Sequence, residues 1–419
     1  MRTVAIFCSV VDNFGDIGIC WRLARQLAHE HQWQVQLYVD DLVSFAKICP
    51  QVKVDAPHQR ILDIQVSHWN AELVASWQAD SSPQQPQRDL PQQSQSQQSH
   101  SQNTELPKLA TPDLVIEALA CTVPEGYLRQ VARQNPQALW LNLEYLSAED
   151  WVEGCHGLPS PQSMVPLTKY FFFPGFTNAT GGLLREQSIV RQAQNLQQDS
   201  KAQRDFWRQL GIDDAHEYQL RISLFAYGQA NIASWLTNIA QQGPKTLMLV
   251  PSGVLAQQLC VIYPELNSET GQKRLELGQL TLVLMPFIAQ PDYDLLLACC
   301  DINFVRGEDS VIRAHWAGRP FIWQIYRQEQ QAHRQKLNDF LAKQLALATP
   351  ELAALMQKAH DLWDLELDFS EIWPEYLKNL DKIQMHTLVW QQFLTQQQDL
   401  ASNLVRFVEK KLIMPRNFS

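Results

Sequence analysis

The chain has 419 residues, enough for two or three domains. Hydrophobic residues make up 45% and charged residues 19%, a globular balance that excludes wholesale disorder. Aspartate and glutamate (44) outnumber lysine and arginine (34); the net charge of -10 argues against a general nucleic-acid binder while leaving room for a small diphosphate site.

Met1-Arg2 and the apolar Thr3 to Val11 superficially resemble an export signal. The stretch runs straight into Asp12-Asn13-Phe14-Gly15-Asp16 with no small-residue cleavage site, so it reads as a strand buried on both faces. Ile19, Leu23 and Leu27 then recur at helical spacing through Cys20 to His31. Gln34 to Val39 predicts a second strand and Leu42 to Ile48 a short helix. Asp113 to Leu119, Glu125 to Gln134 and Ala138 to Leu143 repeat strand, helix, strand. Such alternation predicts βαβ units and a parallel sheet. Between them, Ser81 to Gln102 is Gln, Ser and Pro with almost no apolar residue and reads as a disordered surface insertion.

Leu183 to Gln209 is polar, Gln-rich and free of Pro and Gly, which suits a helical connector. A second series follows, with strands expected at Gln219 to Ala226, Thr246 to Val250, Leu280 to Pro286, Ile302 to Val305 and Phe321 to Ile325. Helices are expected at Ile232 to Gln241, Asp292 to Cys300, Ser310 to Ala317 and Gln330 to Leu341, and a last one over about Met385 to Leu412. The apolar run Leu280 to Ala289 is half of what a membrane span of about 20 residues needs, so no membrane protein is expected. Eight cysteines (Cys8, Cys20, Cys49, Cys121, Cys155, Cys260, Cys299 and Cys300) form no CxxC pair, which fits free thiols in a reducing cytoplasm. Metal-ligand spacing is missing too: His29 and His31 read as a solvated pair at a helix end.

Two turns carry candidate chemistry. Asp12 to Gly18 joins the first strand to the first helix, where an open α/β sheet lines its crevice. It lacks G-x-G-x-x-G, and its two carboxylates suit a cationic group or general-base work better than a pyrophosphate. Capping of the helix by Asp12 or Asp16 is the alternative. In the second series, Arg306-Gly307-Glu308-Asp309-Ser310 joins a strand to a helix. Gly307 permits close backbone approach, the helix-start amides can receive an anion, and Arg306 adds positive charge; a capping turn at Asp309 or Ser310 is again the alternative. Tyr227 and Phe287 lie at the ends of two further strands, where Phe287 can stack on a base, Gln290 can read a polar edge and Tyr227 can reach a phosphate; each aromatic could equally be core. No G-x-S-x-G occurs, and adjacent Cys155-His156 reads as an ordinary loop.

The run Ile6 to Leu27, with Leu224-Phe225-Ala226-Tyr227 and Arg306 to Ser310, closely resembles the protein-arginine rhamnosyltransferases that modify bacterial elongation factor P; the likeness covers nearly the whole chain outside the Gln-rich segment. The resemblance implies a GT-B fold, two Rossmann-like α/β domains facing across a cleft: a first, acceptor-side domain over 1–182, a nucleotide-sugar domain over 183–384, and a C-terminal helix over 385–419 packing back on the first. It implies inverting transfer of rhamnose from dTDP-β-L-rhamnose to an arginine of elongation factor P, in the cytoplasm, without metal or cofactor. By the same resemblance Asp16 is the general base, Asp12 orients the arginine and Glu308 is needed for activity. The donor site then comprises Tyr227, Phe287, Gln290, Arg306, Gly307, Glu308, Asp309 and Ser310, with Asn13, Phe14 and Gly15 from the first domain. A GT-B transferase with a small-molecule acceptor, or a non-catalytic nucleotide-sugar-binding protein, are the alternative functions.

Overall fold

A computed structural model describes residues 1–11, 14–79, 110–267, 273–327 and 332–413. Asp12, Asn13 and the Gln-rich insertion at 81–102 lie outside them. No helix among the described residues is long and apolar enough to cross a membrane.

The chain forms two sheets. The first contains β1 (Thr3–Cys8), β2 (Gln34–Val39), β3 (His58–Ile61), β4 (Ile64–His68), β5 (Leu114–Ala118), β6 (Leu139–Leu143), β7 (Pro159–Ser160) and β8 (Lys169–Phe172), in the order β3-β4-β2-β1-β5-β6-β8-β7. The second contains β9 (Leu220–Leu224), β10 (Thr246–Pro251), β11 (Lys273–Leu277), β12 (Leu280–Met285), β13 (Ile302–Arg306) and β14 (Phe321–Gln324), in the order β11-β12-β10-β9-β13-β14. All pairings are parallel except β3 with β4, β7 with β8 and β11 with β12, at the margins. Central strands are continuous apolar runs because helices cover both faces: all six residues of β1 are buried.

The order of strands decides where ligands can sit. In the first sheet the chain winds from β1 to β2 and β4, then returns to add β5 on the other side of β1. In the second it winds from β9 to β10 and β12, then returns to add β13 beside β9. Each reversal leaves a crevice beyond the strand C-termini that no crossover helix fills. The β1 turn opens into the first crevice, and the β9 and β13 turns open into the second. The sequence singles out all three of these strand ends and, with Phe287, the end of β12 as well.

Two helical expectations need correction. The connector over Leu183 to Gln209 is helical only as Ile189–Gln198 and Ser200–Gln209, broken where the Asp199 carboxylate accepts from the Lys201 and Ala202 amides at 2.9 and 3.0 Å. The final helix is likewise two, Leu380–Thr395 and Leu400–Ile413. At the break Asp399 accepts from the Ser402 amide and from Gln26 Nε2, both at 3.0 Å, and the Leu400 amide is held by the Leu183 carbonyl at 2.9 Å. Neither break carries a proline or glycine, so helical periodicity passes over both. Leu400–Ile413 lies against the first sheet, with Phe407 edge-on to Tyr170 and Phe172 at centroid distances of 5.4 and 5.8 Å. The helix Leu380–Thr395 instead braces the second sheet's helix Gly307–Ala317: Gln391 Nε2 donates to the His315 and Trp316 carbonyls. One hydrophobic core runs through both halves, flanked by a separate cluster on each sheet's outer side.

Candidate active site

The first helix, Gly15–His29, opens directly after the β1 turn. Asp16, in its first turn, is 2% exposed and folds back to accept from the Val11 amide at 2.9 Å. Phe14, at the start of the helix, presents its ring to Phe287 of the second half at 4.2 Å between centroids, with Lys47 Nζ 5.4 Å from the Phe14 ring on the first half.

Across the gap, β13 ends in Arg306 and the helix Gly307–Ala317 follows without an intervening turn. It begins three residues earlier than the sequence predicts, and Gly307 at the junction adopts φ +62°, in the left-handed region that favours glycine. Asp309 and Ser310 are therefore inside the first turn and neither caps it. The Ser310 hydroxyl donates to the Arg306 carbonyl and accepts from the Arg306 amide, bracing the junction. The Arg306 guanidinium is clamped between two rings, its carbon 4.4 Å from the Phe225 centroid and 4.5 Å from that of Tyr227. Glu308 accepts from the Leu146 amide at 2.8 Å, a bond that spans the two halves. Gln290 is buried; its Nε2 donates to the Gly18 carbonyl at 3.1 Å, while its Oε1 has no hydrogen-bond partner among the described residues.

Phe14, Gly15, Tyr227, Phe287, Gln290, Arg306, Gly307, Glu308, Asp309 and Ser310 line one cleft that is partly open to solvent. Ten of the sequence-picked residues therefore share a wall; Asp16, next to Gly15 in the chain, is buried and is not among the residues that line it. Asp12 and Asn13 lie outside the described residues. Sequence reasoning missed Ile48, Phe225, Pro251, Ile288 and Tyr293, which also line it. The strand-end position that singled out Tyr227 applies equally to Phe225. His29 and Cys155-His156 stay out of the cleft: His29 Nε2 meets the Leu62 carbonyl at 2.9 Å, and His156 Nδ1 accepts from the Phe173 amide, with burial lowering its pKa.

Behind the cleft lies a buried set of charges. Arg22 donates from Nε to Asp309 at 2.8 Å and from its two terminal nitrogens to Asp294 at 2.9 and 3.0 Å. Arg313 binds Asp294 from another edge and Glu186 at 2.6 Å. Burial opposes the charge on Arg22, but Asp294, Asp309 and Glu186 outweigh it and raise its pKa. Burial likewise pushes the Glu186 carboxyl up, yet Arg313 and Arg22 bring it down to about 2. For Asp309 burial prevails, and its pKa is raised despite Arg22 and Arg313.

Comparison with known proteins agrees with this architecture. The family described as Elongation-Factor P (EF-P) rhamnosyltransferase EarP matches residues 4–87 and 79–409. The chain belongs to that family. A protein-arginine rhamnosyltransferase of Pseudomonas putida is 41% identical over 97% of this chain and 98% of its own length. One from Shewanella oneidensis is 36% identical over 97% of each. Among solved structures, one described as the structural basis for EarP-mediated arginine glycosylation of translation elongation factor EF-P is 29% identical, with a TM-score of 0.62 over 98% of this chain and 99% of that one. A glycosyltransferase from Rickettsia africae, 8% identical with a TM-score of 0.50 over 99% of each chain, shares the fold alone. The chain is a GT-B member of the EarP family of protein-arginine rhamnosyltransferases.

Proposed function

We propose that this protein transfers rhamnose from dTDP-β-L-rhamnose to an arginine side chain of elongation factor P, with inversion at the anomeric carbon. The observation that carries the reading is the shared cleft: Phe14 and Gly15, which lead into Asp16 on the first helix, and Arg306 to Ser310 of the second half line the same cavity. An arginine acceptor enters from the acidic side and a nucleotide sugar lies along the other.

The chemistry follows from the residues. A guanidinium is protonated at neutral pH and its lone pairs are delocalised, so it attacks carbon poorly. A carboxylate that grips it in a hydrogen-bonded fork and takes a proton as the bond forms removes that obstacle. Asp16 has this role, with Asp12 orienting the acceptor. The guanidinium nitrogen attacks the anomeric carbon as the bond to the diphosphate oxygen breaks on the opposite face; the proton goes to Asp16 and the electron pair leaves with dTDP. Negative charge building on the diphosphate is met by Arg306 and by the first amides of the Gly307–Ala317 helix. Phe287 stacks on the thymine, and Gln290 Oε1 accepts from the one N–H that thymine carries on its pairing edge. Glu308 serves activity from the same wall, and Tyr227, Asn13, Phe14, Gly15, Asp309 and Ser310 complete the donor site. The work divides among an acceptor-side domain (1–182), a nucleotide-sugar domain (183–384) and a C-terminal segment (385–419). Eight free thiols, six of them buried, suit residence in the reducing cytoplasm beside the acceptor.

Incubation with dTDP-rhamnose and elongation factor P should raise the acceptor's intact mass by one deoxyhexose; an unchanged mass, with active enzyme from a family member as control, defeats the reading. Asp16→Asn should keep its affinity for dTDP-rhamnose and lose about 100-fold or more in kcat. Loss of donor affinity without loss of kcat contradicts the base role.

A further inference from the structure

The first helix carries a polar row, Gly18, Arg22 and Gln26, one turn apart, and the row faces the second half. A Cβ placed on Gly18 would stand 3.1 Å from Gln290 Nε2 and 3.2 Å from Asp309 Oδ2. Gln26 reaches the Arg185 carbonyl at 2.9 Å and Asp399 at 3.0 Å. Between them the Arg22 side chain is fully buried and holds two carboxylates of the second half at once, Asp309 through Nε and Asp294 through its fork. Arg313 grips the same Asp294, but from within the second half. Arg22 alone of the two crosses the seam.

Buried ion pairs are poor sources of stability, because desolvation consumes most of the Coulombic gain. What a guanidinium fork between two fixed carboxylates does supply is geometry. The objects it fixes matter here. Asp16 lies six positions before Arg22 on one rigid helix, and Asp309 is the neighbour of Glu308 at the start of the other. We propose that Arg22 is a positioning residue for rhamnosyl transfer: by clamping Asp294 and Asp309 it sets the stand-off between the Asp16 end of the first helix and the donor-side helix Gly307–Ala317. The proposal rests on the assignment of Asp16 as the base. A carboxylate displaced by about 1 Å from the attacking nitrogen costs on the order of 100-fold in rate.

The test uses the full-length protein with dTDP-rhamnose and elongation factor P. Arg22→Lys keeps a positive charge but cannot hold both carboxylates, and Arg313→Lys makes a comparable loss on Asp294 from within the second half. Kinetics, dTDP-rhamnose titration and thermal melts are measured on both. The expected result is a kcat about 100-fold down for Arg22→Lys with donor Kd within about 3-fold of wild type, and near-wild-type kcat for Arg313→Lys at a similar Tm. Gly18→Ala widens the same seam without altering charge or harming the helix, and should lower kcat by about 10-fold. Equal kcat losses in the two lysine variants, tracking their Tm, reduce Arg22 to a structural residue and overturn the proposal. So does wild-type kcat in Arg22→Lys and Gly18→Ala. Full activity in Asp16→Asn removes the base assignment itself, and that variant, run alongside, tells the two failures apart.

Discussion

Arg306 illustrates how much a single residue's role depends on its neighbours in space. As a basic residue before a glycine it reads as an anion contact, but the sequence does not say what keeps its side chain from collapsing. Phe225 and Tyr227, at the end of the neighbouring strand β9, hold their rings 4.4 and 4.5 Å from the carbon of its planar guanidinium. A lysine has no such plane, so Arg306→Lys should leave the fold intact and raise the Kd for dTDP-rhamnose by about 10-fold, read by titration. Asp309 and Ser310 came from the same motif and are used differently than as caps: Ser310 braces the Arg306 backbone and Asp309 is shared between the cleft wall and Arg22. Arg22 itself gave no signal. An arginine among the other polar residues of the first helix reads as a solvated position until its partner, 287 residues along the chain, is folded against it.

At the scale of elements, the strongest feature is the junction of β13 with its helix. Gly307, with φ +62°, joins β13 directly to its helix, and Glu308 and Asp309 of the first turn line the cleft. An L side chain there is strained, so Gly307→Ala should lower stability by about 1–2 kcal/mol in denaturant melts and weaken donor binding as well. The alternation of strands and helices was legible because buried parallel strands are continuous apolar runs and amphipathic helices repeat at 3.6 residues. The marginal hairpin of β3 and β4, short and polar, was not. Nor were the helix breaks at Asp199 and Asp399, where a side-chain cap, rather than a breaker residue, ends one helix and begins the next.

For the whole molecule, His315 reports on the joint between the halves. It sits fully buried against Phe321 and Phe340 of the second half, Phe176 of the first and Trp390 of the C-terminal segment, and burial drives its pKa to about 3. In the unfolded chain it titrates near 6.5, so between those values the unfolded state binds the extra proton and stability falls as pH is lowered. Above about 6.5 the effect is absent. Removing the group with His315→Phe should flatten the pH dependence of unfolding between pH 6 and 4 by up to about 1.4 kcal/mol per pH unit, measured by denaturant titration. The sequence alone determined the two doubly wound α/β halves and singled out the candidate turns, because hydrophobic periodicity and turn residues are local properties read within a dozen positions. Tertiary structure alone decided that those turns share one cleft, and that a polar row on the first helix is a seam rather than a wet face. Both depend on strand order and on contacts across nearly 300 residues, for which a linear chain holds no local trace.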